Sequence, residues 1–138
     1  MSDKVFVDTN ILIYAHDLDA GRKHETAKSL LRDLWENHTG VISTQVLQEF
    51  YVNVTRKITQ PITASQARGI INAYAAWRVE IIQPSDVIQA SEIQERYRLS
   101  FWDSMIVVTA AKSRADILVT EDLNPGQIIE GVLVKNPF

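Results

Sequence analysis

Apolar and polar positions along this chain alternate between two spacings. Short apolar runs at Val5-Phe6-Val7, Val41-Ile42, Ile117-Leu118-Val119 and Val132-Leu133-Val134, together with Val79-Glu80-Ile81-Ile82, read as strands. Between them, apolar residues recur every three or four positions, the period of a helix with one buried face. Thr9-Asn10 opens the first such stretch, which runs through Tyr14, and His24 to Trp35 carries Ala27, Leu30, Leu31 and Leu34. Ser43 or Thr44 can cap a helix with Val46, Leu47, Phe50 and Val54, and Pro61 breaks it. Thr63 or Ser65 starts a helix through Ile70, Ile71 and Tyr74, and Ser85 caps one with Val87, Ile88, Ile93 and Tyr97. Ser100 caps the last, which continues through Ala111. Short apolar strands alternating with helices predict an α/β fold with a mainly parallel sheet.

Composition narrows the class. A chain of 138 residues fits a single domain spanning 1–138. With 46% hydrophobic and 22% charged residues it is an ordinary globular composition, which excludes disorder and a coiled coil. Cysteine is absent, so disulfides, thiol catalysis and Cys-ligated zinc are excluded. The N-terminus has no charged region leading into an apolar one, and the longest mostly apolar run, Met105 to Ala111, is far short of the ~20 residues of a spanning helix. The expectation is a soluble, cytoplasmic protein without a membrane segment. The formal charge of -3 argues against a generally basic nucleic-acid clamp.

The carboxylates change that picture. In open α/β sheets, ligands bind beyond the carboxyl ends of the strands. Asp8 directly follows the first strand, and Asp122 follows Ile117-Leu118-Val119 after Thr120 and Glu121, so both fall at one sheet edge. An acid after a strand also caps the next helix or turn, and that simpler account competes for each alone. Asp103 stands three residues after Ser100, a capping-box position that also fixes a carboxylate's direction. Glu49 is the only acid between Glu36 and Glu80, a stretch that holds Arg56, Lys57, Arg68 and Arg78. It sits on the flank of the Val46–Phe50–Val54 stripe, one turn before Asn53, where pairing with Arg56 or Lys57 is the competing account. Carboxylates held together raise one another's pKa unless a cation lies among them. An all-oxygen set suits a hard ion such as Mg²⁺ or Mn²⁺, which can activate water and shield a phosphodiester.

These residues resemble the motifs of PIN-domain ribonucleases. Val5-Phe6-Val7-Asp8-Thr9-Asn10-Ile11-Leu12 resembles the opening motif, and Glu49 within Gln45-Val46-Leu47-Gln48-Glu49-Phe50 resembles the second acid. Phe101-Trp102-Asp103-Ser104-Met105-Ile106 and Leu118-Val119-Thr120-Glu121-Asp122-Leu123 resemble the third and fourth. Order, spacing and length are similar to the VapC-type toxins of toxin–antitoxin pairs. The resemblance implies a three-layer α/β/α sandwich, Mg²⁺- or Mn²⁺-dependent endoribonuclease activity, a homodimer and a cognate antitoxin. By position it implies Asp8, Glu49, Asp103 and Asp122 as catalytic metal ligands. Asn10, Thr120 and, more weakly, Ser104 would orient carboxylates or water. Glu121 is a second acid in the last segment, where motif position selects Asp122.

The competing reading is a non-catalytic PIN-like module that binds RNA or a protein. An Asp-based phosphotransfer domain fits less well, because Asn10 stands where a haloacid-type phosphatase wants a second Asp. His16, His24 and His38 lack metal-ligand spacing and are expected at the surface or in loops. Trp35, Trp77 and Trp102 can stack on bases, although packing is the default expectation for each. Arg22-Lys23 and Arg96/Arg98 flank the acid-bearing segments and can meet phosphate, with solvated surface as their default. The basic stretch from Arg56 to Arg78 is the expected contact for RNA or antitoxin. With four acids assigned to a metal site, the negative total no longer opposes an RNA substrate.

Overall fold

A computed structural model describes residues 3–138. The elements run β1 (Val5–Val7), α1 (Thr9–His16), α2 (Arg22–Asn37), β2 (Gly40–Ser43), α3 (Thr44–Val52), α4 (Ala64–Tyr74) and β3 (Arg78–Glu80). They continue with α5 (Pro84–Tyr97), α6 (Phe101–Lys112), β4 (Ile117–Val119), β5 (Ile128–Ile129) and β6 (Val132–Lys135). The strands form one six-stranded sheet in the order β3-β2-β1-β4-β6-β5, parallel except for β5. Val5 pairs with Gly40 on one side and Ile117 on the other, so β1 and β4 end level at their carboxyl ends and β2 runs one residue further.

The central strands are buried throughout, which explains their unbroken apolar runs. Helices α1 and α2 pack together, α3 lies against α1 and α4, and α5 pairs with α6, which lies against β2 and β6. Phe6, Leu12, Ile42, Phe50 and Leu118 are among the largest side chains at the centre of the core. At the amino end of the sheet the Trp77 ring lies on Gly40, where a Cβ would stand 2.4 Å from it. No helix among the described residues is long and apolar enough to cross a membrane.

Several boundaries differ from the sequence expectation for identifiable reasons. The edge strand β3 covers 78–80, not 79–82, and Ile81 is exposed. The chain leaves the sheet there because Pro84 is the first residue of α5, and Asp86 accepts from the Gln83 N–H at 2.8 Å. Ser85 therefore lies inside that helix and does not cap it. Strand β5, only two residues long, leaves no pattern in the sequence. It joins β6 through Glu130 and Gly131, both at positive φ (50° and 82°), the conformation of a tight hairpin turn.

Candidate active site

Asp8 occupies the end of β1, and its backbone N–H donates to the Val119 carbonyl of β4 at 3.1 Å. Its Oδ1 accepts from Thr9 N at 2.7 Å, so the carboxylate caps α1. Its Oδ2 accepts from the fully buried Thr120 hydroxyl at 2.7 Å. The Thr120 oxygen in turn accepts from Asp122 N at 3.1 Å, so one hydroxyl links the first and last acidic segments. Asn10 Nδ2 donates to Asp122 Oδ2 at 3.1 Å. The capping account and the cluster account of Asp8 therefore both hold, because one carboxylate does both.

Asp103 reaches the same place from the first turn of α6. Ser100 Oγ accepts from Asp103 N at 3.1 Å, but the reciprocal bond of a capping box is not made, which leaves the Asp103 carboxylate free. Asp8, Asp103 and Asp122 each present a carboxylate oxygen within 4.8 Å of the others. Glu49 lies outside that group and lines the same cavity, a hollow of about 170 Å³ with Asn10, Gln45, Asn53 and Trp102 in its wall. Glu49 Oε1 accepts from Thr9 Oγ1 at 2.7 Å and from Gln45 Nε2 at 3.4 Å.

Burial pushes the Asp8 carboxyl up to about 7, helped by the charges of Asp122 and Asp103 and opposed by the Thr120 and Thr9 hydrogen bonds. Asp122 is raised too, by burial first and then by Asp103, Glu121 and Glu49. The protein thus concentrates negative charge where it is costly. Two buried side-chain atoms without a hydrogen-bond partner, Asn10 Oδ1 and Gln45 Oε1, belong to residues lining this same cavity. Acids beside acceptors that lack donors fit a hydrated hard cation, with the carboxylate oxygens of Asp8, Asp103 and Asp122 as ligands.

Other candidates fall elsewhere. The Ser104 hydroxyl donates to the Ser100 carbonyl at 2.8 Å, a bond within its own helix, and orients no carboxylate. Glu121 turns away from the cluster: it accepts from Lys23 Nζ at 2.7 Å and from the Tyr14 hydroxyl. Partial burial raises the Glu121 pKa, but the bonds from Lys23 and Tyr14 outweigh it and hold the group below the usual carboxylate range. Lys23 is therefore occupied, and Arg96 pairs with Glu130 at 2.8 Å. Arg56, Lys57 and Arg68 are exposed, whereas Arg78 pairs with Glu80 and sits at the amino end of β3, away from the acids.

His38 is exposed just beyond α2, as expected, but the other two histidines depart from a surface placement. His24 is buried with Nδ1 2.9 Å from the Tyr14 carbonyl, and half-buried His16 stands 3.1 Å from the Tyr74 hydroxyl. Burial lowers the His16 pKa, with His24 adding to the effect. Trp35 and Trp77 pack against Tyr74 and each other, but Trp102 is 63% exposed at the rim of the acidic cavity, contrary to the packing default. Thr9 and Gln45 were missed as site residues; their position one after Asp8 and four before Glu49 was the available signal.

The PIN domain family model matches residues 5–128. The chain belongs to the PIN domain family. Among solved structures, this PIN domain is similar to a toxin–antitoxin complex from Klebsiella pneumoniae: TM-score 0.71, 25% identity, covering 97% of this chain and 98% of that one. It is also similar to VapC20 of Mycobacterium tuberculosis, a toxin that cleaves the sarcin-ricin loop: TM-score 0.66, 25% identity, covering 83% and 86%. FitAB bound to a DNA fragment shares the fold, with TM-score 0.73 and 17% identity over 96% and 94% of the two chains. No curated protein matches the sequence at a significant level.

Proposed function

We propose that this PIN domain is a Mg²⁺- or Mn²⁺-dependent endoribonuclease that hydrolyses RNA phosphodiester bonds, acting in the cytoplasm as the toxin of a toxin–antitoxin pair. The observation that carries the proposal is the trio Asp8, Asp103 and Asp122, drawn within 4.8 Å from three distant segments although burial resists the charge of Asp8 and Asp122. The likeness to VapC20 and to the Klebsiella complex supports the choice of RNA as substrate and of an antitoxin as partner.

Asp8, Asp103 and Asp122 would hold the cation, with Glu49 completing the acidic wall. When bound, such an ion supplies Lewis-acid polarisation and offsets phosphodiester charge. Thr120 and Thr9 fix Asp8 and Glu49 in place, which spares the site reorganisation on binding. Asn10 does the same for Asp122. Exposed Trp102 offers a stacking face for a base beside the scissile phosphate. Apolar side chains left exposed at Val52, Ile81, Val87 and Ile88 supply surface for a homodimer or for the antitoxin.

The test is cleavage of end-labelled structured RNA by the purified chain with Mn²⁺, with EDTA, and with the folded variant Asp103→Asn. The proposal expects cleavage only by the wild type with metal. Equal cleavage by Asp103→Asn would refute the site. No cleavage of any RNA, with no Mn²⁺ bound, would favour the non-catalytic RNA- or protein-binding module.

A further inference from the structure

Gln45 lines the acidic cavity without a role in the sequence reading, which singled out only Glu49 of its segment. It is the second residue of α3 and only 4% exposed. Its amide nitrogen donates to Glu49 Oε1 at 3.4 Å and to the Trp102 carbonyl at 3.3 Å. Its Oε1 is buried and receives no hydrogen bond. A buried amide that donates twice and accepts nothing is a poor choice for packing alone, because Leu or Met would fill a similar volume without a desolvated carbonyl. Exchanging the amide's O and N does not remove the difficulty. The oxygen would then face the Glu49 carboxylate and the Trp102 carbonyl, both acceptors, and the nitrogen would lose its partners. The surroundings therefore fix the orientation, with Gln45 lining the same cavity as the three aspartates.

Resting on the metal reading above, we propose that Gln45 is a positioning residue of the cation site. Its N–H groups tie Glu49 on α3 to the start of α6, which carries Asp103. Its Oε1 accepts a hydrogen bond from a water in the hydration shell of the cation. Hard divalent ions in such sites keep several waters, and each water presents its protons outward to acceptors. Asn10, which lines the same cavity, carries a second buried acceptor without a donor, Oδ1.

The experiment measures Mn²⁺ affinity by titration calorimetry, and thermal unfolding in EDTA, for the wild type, Gln45→Leu and Gln45→Met. The expected result is a metal-free Tm equal to or above wild type with Mn²⁺ affinity lowered roughly tenfold or more, the range seen on losing groups that orient metal ligands. Wild-type affinity in both variants would overturn the proposal and leave the metal reading standing. A parallel fall in metal-free Tm and affinity in both variants would mark Gln45 as structural and overturn it too. Failure of the wild type to bind Mn²⁺ would overturn both readings.

Discussion

Replacing Asp8 with asparagine should stabilise the metal-free protein at neutral and alkaline pH. Burial and neighbouring acids hold Asp8 at about 7 in place of an ordinary 3.8. The native state therefore binds a proton that the unfolded chain has released between these two values, and stability falls as pH rises through that window. A displacement of that size corresponds to roughly 4 kcal/mol at most by pH 8, at about 1.4 kcal/mol for each tenfold change. Asparagine keeps the local bonds: its oxygen can accept from Thr9 N, and its amide can donate to Thr120 Oγ1, the two partners Asp8 has now. It is also a good helix cap. If only a quarter of the ceiling is realised, Tm rises by about 3–4 °C for a chain of this length. Calorimetric melts of both proteins in EDTA from pH 4 to 8 would show the difference. The gap should be close to zero near pH 4 and widest at pH 8, while Mn²⁺ should stabilise only the wild type. A variant less stable than wild type at pH 8, or a gap that does not change with pH, would refute this account of Asp8.

Three further outcomes follow from the same geometry. Thr120→Val removes the hydroxyl that joins Asp8 to the Asp122 backbone, and should weaken Mn²⁺ binding roughly 10–100-fold by calorimetry. Glu121→Gln should leave Mn²⁺ affinity unchanged, because Glu121 faces Lys23 and Tyr14; a loss matching Asp122→Asn would show that it belongs to the cluster. Gly40→Ala puts a methyl 2.4 Å from the Trp77 ring and should cost about 1–3 kcal/mol in chemical denaturation with a shift in tryptophan emission.

The edge at which the acids gather could be read from the chain, because buried parallel strands announce themselves as apolar runs and Asp8 and Asp122 follow two of them. Glu49 stood out because helical periodicity set it off the Val46–Phe50–Val54 stripe. What the chain did not disclose depends on partners far away in sequence. His24 is buried with its ring at the Tyr14 carbonyl, and one of the two bonds that hold Gln45 at the site goes to the Trp102 carbonyl of α6. Strand β5 spans two residues, too few to show any alternation, and exists because Glu130 and Gly131 fold it back on β6. Ile81 is apolar without being inside, since β3 is an outer strand and the chain has already turned toward Pro84.

The strand made first gains its second neighbour only late. β1 lies between β2 and β4, and the Thr120 hydroxyl that holds Asp8 is 112 residues downstream of it. During synthesis the first aspartate therefore meets Thr120 only after residue 120 has left the ribosome. A nascent or prematurely terminated product that stops before Ile117 lacks both Asp122 and the strand that seats Asp8. For a protein proposed to cut RNA, the order of the strands ties assembly of the acidic cluster to synthesis of its last segment, so earlier products of translation carry only part of the proposed site.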